Sequence, residues 1–300
     1  MDVVSFCKKH GLKLYVEYDE TRLAEINKIF STSCIQGVYE DDELNYWAGA
    51  YYWKELKNLC EAKKYFRIAS KNHNFALYNL AEIHREENNY GEAKYLCGIG
   101  IARGFTMMYT CLGYLYFREG DYDAALRNLY IALTNNKKCI DITSLILGYI
   151  YEAQGDDEKA IIYYQMAADN GSKSATNLIG RIHHAIGNDE LAEEFFTRAA
   201  TKYDDIEGVL NLGLLSYERC NTKDTKKYWL EVIEKKGIDY LVKIDPEYVT
   251  MLGQIYFEED DKIAAQKYWE IAAKYNNENA KSNLAFLRKQ TGLTSFAKKN

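Results

Sequence analysis

Apolar and small residues recur three and four positions apart through most of this chain, the period of one face of an α-helix. Around position 113 they read Leu112, Gly113, Tyr116 and Phe117, then Ala125, Leu129 and Ala132. Gly120–Asp121 separates the two apolar runs. Glycine ends one helix there, and aspartate is a good N-cap for the next. Gly155–Asp156 and Gly187–Asn188 hold the same place in later pairs. The pattern predicts a series of helical hairpins.

The hairpins are spelled alike. A small residue is followed 12 positions later by Ala and 19 positions later by Ala again, as in Gly113, Ala125 and Ala132, or Gly148, Ala160 and Ala167. The same spacing links Gly180, Ala192 and Ala199; Gly253, Ala265 and Ala272; and Ala50, Ala62 and Ala69. Ala81, Ala93 and Gly100 fit with one substitution. The pivots at 50, 81, 113, 148, 180, 213 and 253 are 31, 32, 35, 32, 33 and 40 residues apart, and Ala285 follows 32 later. A period in the low thirties is one helix–turn–helix unit, which cannot bury its apolar face alone and must stack on its neighbours. Glycine inside a helix costs about 1 kcal/mol relative to alanine, so its repeated use implies close helix crossings.

Leu112-Gly113…Tyr116…Ala125…Ala132 and Leu147-Gly148…Tyr151…Ala160…Ala167 resemble the tetratricopeptide repeat. The links, such as Ala167-Ala168-Asp169-Asn170-Gly171 leading to Ala175, resemble the related Sel-one-like repeat, although the fixed gap of 12 favours the tetratricopeptide frame. The resemblance covers roughly residues 44–290 and implies an all-α, right-handed solenoid of about seven hairpins. Residues 1–43 are expected to be an N-terminal cap or a degenerate repeat, with a helix over Thr21–Phe30 and Leu12 and Ala24 as remnants of a unit. Residues 44–277 form the array, and 278–300 a capping helix over Asn279–Gln290 followed by a loose tail. The sixth unit departs from the pattern: Thr225 and Val232 replace its alanines, and a long link near 237–247 carries Tyr240, Leu241, Val242 and Ile244. The family's frequent proline is missing too, since the sole proline is Pro246.

A net charge of −6 gives the whole molecule no attraction to phosphate backbones, and Lys223, Lys226 and Lys227 read as a solvated helix face. Seven scattered cysteines fit reduced thiols, no apolar run approaches a membrane span, and no secretory signal opens the chain. A cytoplasmic location is the resulting expectation.

Glycine-rich phosphate loops, nucleophile elbows and zinc-protease motifs are missing from the sequence. The expectation is a protein without catalytic residues, cofactor, metal or small-molecule substrate. His84 and His183 fall in the slot of Tyr116, Tyr151 and Tyr256, a packing position, and adjacent His183 and His184 diverge on a helix. Asp156-Asp157-Glu158 and Asp260-Asp261 start second helices, where carboxylates cap free amides.

In the resembled family the first helices line a concave groove. Carried onto this chain, that implies a groove of Trp47, Tyr51, Tyr78, Arg85, Tyr114, Phe117, Tyr149, Glu152, Asn177, Arg181, His184, Tyr217, Gln254 and Phe257. Tyrosine and tryptophan suit recognition because they offer large contact area with a polar tip. The Lys and Asn set with which co-chaperones of the family hold a chaperone's C-terminal carboxylate is missing from Trp47, Tyr51, Tyr78, Glu82, Cys111 and Tyr114. The function expected is a protein-interaction scaffold or adaptor that binds a peptide, helix or domain. The alternatives are a self-assembling homo-oligomer and, disfavoured by the acidic balance, a single-strand RNA reader.

Overall fold

The computed structural model describes residues 2–10, 18–31, 38–135 and 139–291. Leu12, Cys34 and the expected loose tail from Gly292 onward lie outside the described residues. The described residues form eighteen α-helices and no strand. They divide into two compact units, residues 1–170 and 171–300.

The N-terminal unit opens with α1 (Val3–His10) and α2 (Glu20–Ser31). Four hairpins follow: α3 (Asp42–Lys54) with α4 (Leu59–Ala69), α5 (Asn74–Glu86) with α6 (Tyr90–Ala102), α7 (Met107–Glu119) with α8 (Tyr122–Asn135), and α9 (Ile140–Ala153) with α10 (Asp157–Asp169). The C-terminal unit contains α11 (Lys173–Ala185) with α12 (Asp189–Tyr203), and α13 (Ile206–Glu218) with α14 (Thr222–Lys236). It continues through α15 (Ile238–Ile244), α16 (Pro246–Glu258) with α17 (Lys262–Lys274), and α18 (Glu278–Thr291). Each helix packs on its hairpin partner, and successive first helices touch: α3 with α5, α5 with α7, α7 with α9, and α11 with α13. Hairpins stacked in series this way make each unit an α-solenoid.

The helix boundaries follow from local chemistry. Asn58, Asp121, Asp156, Asn221 and Asp261 each accept a backbone N–H three residues on, at 2.9–3.2 Å. Gly120, Gly155 and Gly187 adopt φ of +81°, +75° and +80°, the left-handed turn that ends a first helix.

The core explains the spacing signature. Ala62, Ala69, Ala125, Ala132, Ala160, Ala167, Ala192, Ala199, Ala265 and Ala272 are fully buried. The pivot glycines lie beneath a large side chain 16 residues further on. A Cβ at Gly180 would stand 2.7 Å from the Phe196 ring, and one at Gly253 2.6 Å from Trp269. Gly148 lies equally close under Tyr164, and Gly213 under Trp229. At Ala81 that later position holds the small Cys97 instead. At the glycine pivots a methyl would collide with the covering side chain, an aromatic ring at four of them and Leu129 at Gly113.

The irregular sixth unit keeps the same interior. Thr225 and Val232 are fully buried, and the Thr225 hydroxyl donates to the Asn221 carbonyl at 2.9 Å. The extra link residues form α15, whose Leu241 and Val242 are buried in one cluster with Trp229, Val249 and Trp269. In the same cluster α18 contributes Ala280, Leu284 and Leu287. At the other end Phe6, Ile26 and Phe30 of α1 and α2 are buried against α3.

Candidate functional site

The first helices of the N-terminal unit carry eight of the expected groove residues, and those of the C-terminal unit carry six. Two do not face solvent. Trp47 is 3% exposed, its ring against Phe30, because α2 covers that part of α3. Asn177 is 1% exposed; it donates to Glu207 at 3.4 Å and accepts from Asn211 at 2.9 Å, tying α11 to α13. Tyr51 is half-buried under Phe6 and Phe30. An aromatic ring at a groove register position is drawn into whatever apolar surface neighbours it, and at this end α1 and α2 supply that surface.

Further along, side chains converge. Tyr78, Glu82 and Arg85 of α5, Thr110, Cys111 and Tyr114 of α7, and Ile142 and Ile146 of α9 line a pocket of about 260 Å³. Arg85 donates through Nε at 3.1 Å and Nη2 at 2.8 Å to one oxygen of Glu82, and the Cys111 thiol donates to the other at 3.4 Å. The Arg85 guanidinium lies 5.0 Å from the centre of the Tyr114 ring, and Arg118 donates to the Tyr114 hydroxyl at 2.9 Å. Thr110 and Thr143 share a buried hydrogen bond of 2.9 Å at the pocket floor, where free hydroxyls would be costly. Ile142 is 48% exposed, an aliphatic wall open to water.

The pocket's titratable groups are shifted by burial and by one another. The adjacent Cys97 thiol, burial and Glu82 all push the Cys111 thiol up, so it stays protonated at neutral pH. Burial, then Glu82, pushes the Tyr78 phenol up as well. Burial opposes the Arg85 cation, but Glu82 outweighs it and holds the guanidinium charged.

Beyond the pocket, Phe117 stacks on Tyr149 with ring centres 6.3 Å apart and planes 16° apart. Glu152 accepts from the Tyr164 hydroxyl at 2.5 Å, so it anchors α10 to α9. In the C-terminal unit Arg181 is exposed, and His184 bridges Asp189 at 3.0 Å and Glu218 at 3.3 Å. Tyr217 stacks on Trp229, Gln254 donates to Glu258 at 3.0 Å, and Phe257 packs between Trp269 and Phe286. Most of these rings rest on their own hairpin while keeping an edge to solvent.

Thr110, Ile142 and Ile146 were not among the groove residues read from the sequence. Ile142 sits six residues before its pivot, one turn beyond the positions a register argument covers. The apolar run Ile140–Ile150 was the available signal, but it reads equally as core. Among the described residues no group of three or more His, Cys, Asp and Glu side chains is placed to hold a metal ion. Nor is any described helix long and apolar enough to cross a membrane.

Comparison with known proteins agrees with this architecture. The tetratricopeptide repeat family matches residues 112–175. The fold is similar to that of human IFIT1, solved as a dimer with PPP-AAAA, at 17% identity and a TM-score of 0.58, covering 91% of this chain and 77% of that one. It is also similar to PilW, a type IV pilus biogenesis factor, at 14% identity and a TM-score of 0.57, covering 71% and 99%. PilF of Pseudomonas aeruginosa aligns at 19% identity with a TM-score of 0.52, covering 62% and 84%. No curated protein matches the chain in sequence. The family match is confined to residues 112–175, the solved structures share the fold, and neither gives the Sel-one-like resemblance separate support.

Proposed function

We propose that this chain is a non-catalytic scaffold that binds a protein partner along the first helices of its N-terminal unit. The observation that carries the reading is the continuous row from the Tyr78–Arg85–Tyr114 pocket to the stacked Phe117 and Tyr149. Rings already seated on their hairpins lose little freedom when a partner covers them, and desolvated aromatic and arginine contacts dominate protein interfaces. Such a surface needs no catalytic group. PilF and PilW share the architecture, and PilW is described as a type IV pilus biogenesis factor, which fits a scaffolding role.

Human IFIT1 was solved with PPP-AAAA, but that kind of ligand calls for clustered cations. Here Arg85 is neutralised by Glu82 and the chain carries −6, so the surface is read as a protein site. Self-assembly is the second reading, supported by Phe286 of α18, 51% exposed beside Phe257. Affinity capture with the wild type and with a Tyr114→Ala, Tyr149→Ala double variant tests the first reading. The expected result is a partner retained by the wild type and lost by the double variant at unchanged helicity; equal retention overturns it. A mass that rises with concentration, and that a Phe286→Glu change abolishes, would favour the second.

A further inference from the structure

The turn that closes α10 is held differently from the others. Asn170 is the only asparagine in the chain that glycine follows, and both residues are exposed. Its backbone N–H donates to the Met166 and Ala167 carbonyls at 3.2 Å, and its side-chain Nδ2 donates to the Met166 carbonyl at 2.8 Å. Restraint stops there. At the other turn glycines the amide is spent on the helix just ended: Gly104 donates to Ile101 at 2.9 Å, Gly120 to Phe117, Gly155 to Glu152 and Gly187 to His184 at 3.0 Å, and Gly237 to Ile233 at 2.8 Å. The Gly171 N–H donates to none of the described residues. Ser172, the N-cap of α11, makes no side-chain capping bond either.

Two groups that can react with each other are therefore neighbours and loosely held. Attack of the Gly171 nitrogen on Asn170 Cγ closes a five-membered succinimide ring. A side chain on the attacking residue crowds that approach, and Gly171 has none; its φ of +100° is open to glycine and to few other residues. Asn170 must rotate from its ψ of 11° for the ring to close, and its side chain must leave Met166. One exposed hydrogen bond between neutral groups is a weak brake on that motion, because water replaces it.

We propose that Asn170–Gly171 is a self-modification site, at which the chain converts asparagine to aspartate and isoaspartate with water as the co-reactant. The Gly171 nitrogen bonds to Asn170 Cγ and gives up its proton, the Cγ–Nδ2 bond breaks, and Nδ2 leaves as ammonia. Water then opens the succinimide. Opening at Cγ leaves aspartate; opening at the backbone carbonyl leaves isoaspartate, with the main chain routed through Cβ and Cγ. Nothing is oxidised or reduced. Either product puts a carboxylate beside Asp169 at the C-terminal end of α10, where the helix dipole opposes it, and removes the donor to Met166. The conversion accumulates with the age of the molecule and loosens this turn.

The test incubates the full folded chain in heavy-oxygen water at mildly alkaline pH and maps its peptides by mass spectrometry. Asn170 should take up heavy oxygen, with both isomers present, at least about tenfold faster than any other asparagine. The folded chain should react within about tenfold of its rate in urea, because the Gly171 amide is already unbonded. Gly171→Ala should slow the uptake by about tenfold or more. Alanine is strained at that φ, so the comparison with urea, which needs no variant, decides the matter if Gly171→Ala misfolds. Asn170→Asp should speed amide hydrogen exchange in the last turn of α10 and leave α9 unchanged. Uptake spread evenly over the asparagines, protection by folding beyond that tenfold limit, or unaltered exchange in Asn170→Asp overturns the proposal.

Discussion

Arg219, at the end of α13, pairs with Glu193 of α12 and is the charge-reversed counterpart of Glu87, which pairs with Lys63 across the preceding unit's hairpins α4 and α5. In both pairs one residue lies 13 positions after a pivot and the other six positions after the next pivot. Lys94 with Glu119 at 2.8 Å and Lys226 with Glu259 at 2.5 Å occupy the same register. One contact between hairpins is therefore rebuilt four times, once with its signs exchanged. In three of the four the carboxylate sits at the C-terminal end of a first helix, where the helix dipole opposes it. The lysine offsets that, whereas Arg219 suits its helix end unaided.

A charge swap separates these two contributions. Lys63 and Glu87 are mostly covered, at 19% and 32% side-chain exposure, so each single reversal should cost about 0.5–1 kcal/mol. The double exchange, Lys63→Glu with Glu87→Lys, should recover that loss and gain a few tenths from the dipole, to about the wild-type value or above. Urea unfolding of the four proteins measures the cycle. Additive losses in the double variant would remove any coupling between the two positions.

The repeats, the caps and the buried alanines were legible because each has a spacing or a residue type that only a helical hairpin explains. Gly113 and Ala125 mark a close crossing, and a Cβ at Gly113 would stand 3.3 Å from the Ala125 carbonyl oxygen and 2.6 Å from Leu129. The ion-pair register was not legible, since one of its four pairs exchanges its signs and Gln154 interrupts it at the position six after Gly148. The candidate site was half legible. Tyr78, Arg85 and Tyr114 were found by register, but Trp47 and Asn177 share that register and are buried. Periodicity fixes which way a residue points on its own helix; what covers it depends on neighbours such as α2 and α13, which the pattern does not weigh.

Two glycines in comparable helices should respond oppositely to alanine. Gly180 has Phe196 lying where a methyl would go, so Gly180→Ala should cost about 1–3 kcal/mol by forcing the ring aside. Gly98 in α6 has nothing within 4 Å of a built Cβ, so Gly98→Ala should stabilise by about 1 kcal/mol. Thermal unfolding distinguishes them, and Phe196→Leu should rescue part of the first loss. Equal shifts in the two variants would contradict the packing account of the pivots.

The link in the sixth unit makes a further prediction. Leu241 is fully buried while Lys243 of the same short helix is exposed. Leu241→Ala should cost about 2–4 kcal/mol, in the range for a buried leucine that leaves a cavity, and Lys243→Ala should be near neutral. A neutral Leu241→Ala, read from denaturant midpoints, would mean α15 is appended to the core and not part of it.

Acid should weaken the N-terminal unit through two histidines. Burial pulls both His73 and His84 below the ordinary value of 6.5. His73 uses its Nδ1 lone pair to accept the Ala76 N–H at 3.2 Å, a cap that protonation destroys. His84 is buried, with neither ring nitrogen hydrogen-bonded. Around it Lys63 and Arg67 disfavour the charged form, while Glu87 and Glu92 favour it; burial dominates. Both groups bind a proton more readily in the unfolded chain, so their stability contribution is whole above about pH 6.5 and falls as pH drops through the folded values. Between pH 7.5 and 5.5 the loss should be about 1 kcal/mol. His73→Asn keeps the cap acceptor, and His84→Tyr installs the residue found at the same register in Tyr116, Tyr151 and Tyr256. Urea midpoints of that double variant should change less over this interval than those of the wild type. An equally steep fall in both proteins would assign the acid sensitivity elsewhere, because carboxylates such as Asp41, held below 3.8 by Leu44, Arg22 and Glu43 against the opposing effect of burial, titrate at lower pH.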